Sequence, residues 1–123
     1  LLHLHKPIHE DAIFDKFVFY GRPSFDVKGL DYTCSLVDPY WLEIGPKDVD
    51  KGTMLEKIAR FHHIDLKDTI AFGNGENDLP MLIKAGTGVA MGNALEHVKE
   101  LSDAVCDDCD HDGIGKYLED LLL

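Results

Sequence analysis

Residues 68–93, DTIAFGNGENDLPMLIKAGTGVAMGN, constrain the fold more than any other stretch of the chain. Two short apolar runs, residues 69–72 and 88–91, each lead into a glycine-rich polar turn, residues 73–78 and 92–93. Runs this short and this apolar suit strands buried on both faces, as in a parallel sheet. The residues between them predict a helix. Asn77 suits its N-cap, Pro80 falls in its first turn, where a missing N–H is harmless, and Gly86 suits its stop. In an open α/β sheet, ligands bind outside the carboxyl ends of the strands. Both polar turns are predicted at such ends, so the chemistry is expected there.

The flanking sequence extends the same pattern. Asp50 suits the N-cap of a helix over residues 51–62, with Met54, Leu55, Ile58, Ala59 and Phe61 as its apolar stripe. Lys51 then falls in the first turn, where the helix dipole disfavours a cation. A solvated lysine is the plain reading; a lysine aimed at an anion that shares the helix N-terminus is the functional one. Residues 94–101 predict a helix and residues 104–106 a short strand. Residues 113–122 predict a last helix with Ile114, Leu118, Leu121 and Leu122 on its apolar side. Helix and strand therefore alternate from Lys51 onward, which implies an α/β fold with a parallel sheet and flanking helices. Residues 12–46 differ. Residues 14–20 read as a strand or short helix, and Gly21, Arg22, Pro23 and Ser24 as a turn. Residues 32–37 and 40–44 read as strands around Asp38-Pro39, with Gly45-Pro46 as a break. The division expected is a small β-rich unit over residues 1–46 and the α/β unit over residues 47–123.

Charge and cysteine use exclude several classes. The net charge of −11 argues against nucleic acid and anionic membrane as partners. Cys34, Cys106 and Cys109 are odd in number and fit a reducing, cytoplasmic setting better than a disulfide scaffold. The sequence has no apolar run of membrane-spanning length, and the segment from Leu1 to Lys6 is too short and polar for a signal peptide. A first residue of Leu in place of Met predicts a fragment. His3 and His5 have metal-ligand spacing and His9 follows, but no further ligand pattern joins them, so a loosely ordered N-terminus is expected.

Several separated motifs, in order, resemble one family. GNGENDLPML followed by AGTGVAMGNA looks like the fourth motif region of the Cof-type branch of the haloacid dehalogenase-like (HAD) phosphatases. Glu43-Ile44 and Pro46, then Asp50-Lys51-Gly52, resemble its third motif, and Cys109-Asp110-His111-Asp112-Gly113 resembles its acidic C-terminal loop. The resemblance covers about residues 40–123. It implies a HAD-like Rossmannoid core half with a small β-rich cap remnant. The implied activity is Mg²⁺-dependent hydrolysis of small phosphorylated metabolites through an aspartyl-phosphate. Carried over residue by residue, Lys51 would bind the phosphate, and Gly73 would lie in the phosphate-binding loop. Asn77 would orient the lysine or a phosphate oxygen. Asn74 and Asp78 would stand at the metal.

Two departures bear on activity. Asn74 stands where the family usually has aspartate, and an amide oxygen lacks the charge a hard dication favours. The family's first motif, Asp-x-Asp-x-Thr or Ser after a strand, is not found in the chain, so the resemblance supplies no nucleophile. The chain alone is therefore expected to be inactive. The strand over residues 69–72 is expected to be an exposed edge that self-associates or pairs with a missing N-terminal half.

A rival reading uses the acidic loop. Asp108, Asp110, Asp112, Gly113 and Glu119 satisfy the calcium-loop spacing D-x-D-x-D-G-x₅-E. Against it, Gly115 takes a position that is normally apolar, and the parallel-sheet pattern upstream does not suit a helical pair. Cys106, Cys109 and His111 offer three zinc-type ligands without an obvious fourth. A non-catalytic assembly module is the remaining alternative.

Overall fold

The computed structural model describes residues 16–21, 32–38 and 40–123. His3, His5 and His9, the start of the predicted segment 14–20, and Arg22, Pro23, Ser24 and Pro39 lie outside the described residues. The strands β1 (Phe17–Tyr20), β2 (Tyr32–Asp38) and β3 (Trp41–Pro46) form an antiparallel sheet in the order β1-β3-β2. Central β3 alternates as a half-buried strand must: Leu42 and Ile44 are buried, and Glu43 between them takes the Lys16 ammonium at 2.9 Å. Gly45 and Pro46 were expected to break this strand, yet they pair with Thr33 and Tyr32. Pro46 is the last residue of β3, so the N–H it lacks is lost only where the ladder ends. Its carbonyl still accepts the Thr33 hydroxyl at 3.1 Å.

The remainder alternates as predicted. Helix α1 (Lys51–Phe61) leads to β4 (Ile70–Gly73), then α2 (Leu79–Lys84), β5 (Thr87–Ala90), α3 (Glu96–Glu100), β6 (Ala104–Val105) and α4 (Gly113–Leu122). The three strands are parallel, in the order β4-β5-β6. Among the described residues β4 pairs on one side only, with β5.

Three details differ from the sequence reading. Asn77 does not cap α2. Residues Glu76–Asp78 wind into a 3₁₀ turn first, and the Asp78 side chain turns back to the loop. Helix α2 ends at Lys84, with Ala85 already extended, before Gly86 is reached. Helix α3 starts at Glu96 because Leu95 is extended and Ala94 is spent on the core. The capping of α1 is as expected. The Asp50 carboxylate accepts the Thr53 N–H at 2.7 Å and the Asp50 N–H donates to the Thr53 hydroxyl at 3.0 Å, a reciprocal capping box.

The core lies between the parallel sheet and its helices. Ala71 of β4, Leu82 of α2, Ala90 of β5, and Ala94 and Val98 beside and within α3 form one buried cluster, with Leu79, Met81 and Ala85 packed against it. Small residues on the strands let α2 approach the sheet closely. On the other side Phe72 meets Tyr117 of α4 edge to face at 5.6 Å. Both loops singled out in the sequence leave the carboxyl ends of β4 and β5. They are tied together there: the Met91 N–H donates to the Gly73 carbonyl at 2.9 Å and the Leu95 N–H to the Asn74 carbonyl at 3.3 Å.

Candidate functional site

The polar centre of the molecule is the carboxylate of Asp78, which is 5% exposed. Its Oδ2 accepts the backbone N–H of Asn74 at 2.9 Å and that of Gly75 at 3.0 Å. Its Oδ1 accepts the Lys51 ammonium, reaching across from the first turn of α1. Burial alone pushes this carboxyl up, but Lys51 and the two N–H donors together hold it below the ordinary aspartate value. Asp78 is thus a fixed anion that closes its own loop and holds one lysine in place.

Two glycines make this approach possible. A Cβ on Gly73 would stand 2.5 Å from Asp78 Cβ, so any larger residue would push the carboxylate out of the loop. A Cβ on Gly52 would stand 2.3 Å from the Pro80 carbonyl oxygen. The bare backbone at Gly52 therefore lets α1 press against the start of α2, which brings Lys51 to Asp78.

Two recesses meet at Lys51. The smaller, about 380 Å³, opens at the carboxyl ends of β4 and β5 and is lined by Lys51, Gly73, Asn74, Asp78, Asn93 and neighbouring apolar groups. The larger, about 1320 Å³, lies between the antiparallel sheet and the core; Lys16, Glu43, Asp50, Lys51, Glu76 and Asn77 are among its lining residues. Of the residues singled out in the sequence, Lys51, Gly73, Asn74 and Asp78 thus come together, whereas Asn77 borders the larger cleft. Asn93 joins the small recess without having been singled out by itself, although its loop had been. Glu76 and His97 pair at the rim of the larger cleft, a contact no spacing rule announced, because it joins two elements 21 residues apart.

The fit of a divalent metal can be tested on these donors. Mg²⁺ favours anionic oxygens in an octahedral shell. Asp78 Oδ2 is filled by two N–H groups and Oδ1 by the lysine, and Asn74 offers a neutral amide. Among the described residues no group of three His, Cys, Asp or Glu side chains is arranged to hold a metal. These residues do not by themselves make up a Mg²⁺ site.

The acidic loop has a different occupation. The Asp108 carboxylate accepts the N–H groups of Asp110 and His111, each at 3.0 Å, and the His111 imidazole at 2.5 Å. That hydrogen bond from His111 is the chief reason its carboxyl lies below the ordinary range. Residues Cys109–His111 form a 3₁₀ turn that hands over to α4 at Gly113. Cys106 lies 3.6 Å from the Met91 sulfur, and burial pushes its thiol up.

The profile described as haloacid dehalogenase-like hydrolase matches residues 17–118. The chain belongs to this family, in its Cof-type branch. Among these HAD-like hydrolases it is 45% identical over 117 residues to a phosphoglycolate phosphatase of Methanopyrus kandleri, a match covering 94% of this chain and 46% of that protein. It is 41% identical over 96 residues to the HMP-PP phosphatase of Yersinia enterocolitica, covering 75% of this chain and 34% of that one. The HAD phosphatase BT1666 from Bacteroides thetaiotaomicron superposes with a TM-score of 0.77 at 31% identity, over 85% of this chain and 41% of its own. The HAD subclass IIB sugar phosphatase BT4131 gives 0.70 at 35% identity, over 74% of this chain and 35% of its own. The chain therefore spans less than half the length of these relatives. Its parallel sheet with flanking helices and its antiparallel sheet agree with the HAD fold.

Proposed function

We propose that this chain supplies the lysine-bearing half of a phosphomonoester hydrolase site acting on a small phosphorylated metabolite. The observation that carries the reading is the Lys51–Asp78 contact at the carboxyl ends of β4 and β5. Asp78 holds Lys51, Lys51 takes a phosphate oxygen, and the loop from Gly73 to Asn77 surrounds the phosphoryl group. The larger cleft beside Lys51 has room for the rest of the ester, and residues 1–46 act as part of a cap over residues 47–123. The nucleophilic carboxylate comes from a segment outside the described residues. It attacks phosphorus as the ester oxygen leaves, and water then releases the phosphate. A Mg²⁺, which the family resemblance implies, needs carboxylates that the described residues do not bring together. Cys34, Cys106 and Cys109 are free thiols, which suits a cytoplasmic setting. No described helix is long and apolar enough to cross a membrane.

Hydrolysis of p-nitrophenyl phosphate tests this reading. The chain alone is expected to give no rate above background, because removing one member of a catalytic unit forfeits most of its rate. A first-motif segment supplied in trans is expected to produce turnover that Lys51→Ala removes. Turnover by the bare chain that Lys51→Ala abolishes would place the nucleophile within these residues. Complementation indifferent to Lys51 would remove the lysine from the mechanism.

Assembly is the second expectation. Among the described residues no strand pairs with β4 on the side away from β5, beside Ile70, and natural proteins rarely leave such an edge open. The chain is expected to self-associate or to pair with a further strand there. Light scattering that finds a monodisperse monomer at micromolar concentration would count against this.

A further inference from the structure

The donor set at the small recess points to a property beyond the shared phosphatase reading, though it rests on that reading's assignment of Lys51 to phosphate. We propose that Asn74 donates directly to the phosphate and that this chain binds phosphate without a divalent cation.

Charge is the first argument. Besides the Cys109 thiol, the polar side chains lining the recess are Lys51, Asp78, Asn74 and Asn93, one cation, one anion and two amides. The anion is already committed to the cation and to two N–H groups. An incoming phosphate therefore meets no uncommitted carboxylate among the described residues that line the recess. With a carboxylate at position 74 the same recess would hold a net anion, and a phosphate beside it would be repelled unless a dication lay between. The amide removes that requirement.

Geometry is the second argument. The backbone of Asn74 is fixed from both sides, its N–H on Asp78 Oδ2 and its carbonyl on the Leu95 N–H. The side chain is exposed and lines the same recess as Lys51. An amide carries two N–H donors, and a phosphate oxygen is a strong charged acceptor. A carboxylate at this place accepts only and needs a metal to reach phosphate; an amide does not. The departure from aspartate at Asn74 thus changes the kind of contact and does not merely weaken a metal site.

Calorimetric titration of the full chain with inorganic phosphate, once in EDTA and once in MgCl₂, tests this. The affinity is expected to agree within about twofold between the two buffers. Asn74→Asp is expected to lose about tenfold or more in EDTA and to recover in MgCl₂, because its added charge needs the cation. Asn74→Ala is expected to lose about tenfold in both buffers, the usual effect of removing a hydrogen bond to a charged group. Asn74 is exposed, and thermal melts of the variants confirm that the fold is retained. Binding that requires Mg²⁺ in the natural chain, or full affinity of Asn74→Asp in EDTA, overturns the proposal and leaves the lysine reading standing. Affinity unchanged by Lys51→Ala, or no phosphate binding in either buffer, overturns both.

Discussion

Asp78→Ala is expected to destabilise the chain by about 3 kcal/mol at neutral pH and to abolish Lys51-dependent phosphate binding. The substitution orphans the Asn74 and Gly75 N–H groups and releases the Lys51 ammonium. Lys51 is half exposed and regains water, so most of the loss comes from the two N–H groups and the opened loop. The effect is tied to pH. The folded carboxyl lies below the ordinary value, so Asp78 stabilises above the unfolded pKa of about 4, and that contribution fades as pH falls through the lowered folded value. Urea unfolding of both proteins at pH about 7 and at pH about 2 checks this. The difference between them should shrink on acidification. A difference below about 1 kcal/mol at neutral pH, or one that stays constant, would show that Asp78 is not the anion holding this loop.

Gly52→Ala is the second large effect, about 3 kcal/mol, although it adds a single methyl. The new Cβ would lie 2.3 Å from the Pro80 carbonyl oxygen and 2.6 Å from its carbon. Both are backbone atoms at the start of α2 and cannot swing aside as a side chain would. Helix α1 has to move away from α2, and Lys51 moves with it. Stability and phosphate affinity should therefore fall together, whereas a surface alanine such as Lys57→Ala should change neither. Gly52→Ala with unchanged melting temperature and unchanged phosphate binding would mean that the two helices do not meet in this way.

The alternation of helix and strand from Lys51 onward was legible because each parallel strand is a short apolar run bounded by glycine. The Asp50 cap was legible because its partners are three residues away. What the sequence concealed is where polar side chains turn when two choices are near in energy. Asn77 has the chemistry of a cap, but Asp78 gains a lysine and two N–H groups by turning into the loop, and the 3₁₀ turn that permits this replaces the expected cap. Pro46 reads as a breaker, yet at the end of a strand its carbonyl pairs and its missing N–H has no partner to lose. The grouping of Lys51, Gly73, Asn74 and Asp78 was implied by the family resemblance. The proximity of Glu76 to His97, or of Asn93 to Lys51, depends on how the loops fold over the sheet ends, which no local pattern encodes.

The strand order β4-β5-β6 also bears on how the chain acquires its structure. Each parallel pairing joins strands that follow one another in sequence, bridged by one short helix. Within β4, β5 and β6, no strand has to wait for a distant one before it finds a neighbour. Each step closes a loop of modest length, so its entropy cost is small for a parallel pairing. A ribosome releasing the chain from its N-terminus would see β5 and β6 each laid against the strand just made, with the lysine helix in place before the loop that pairs with it has emerged.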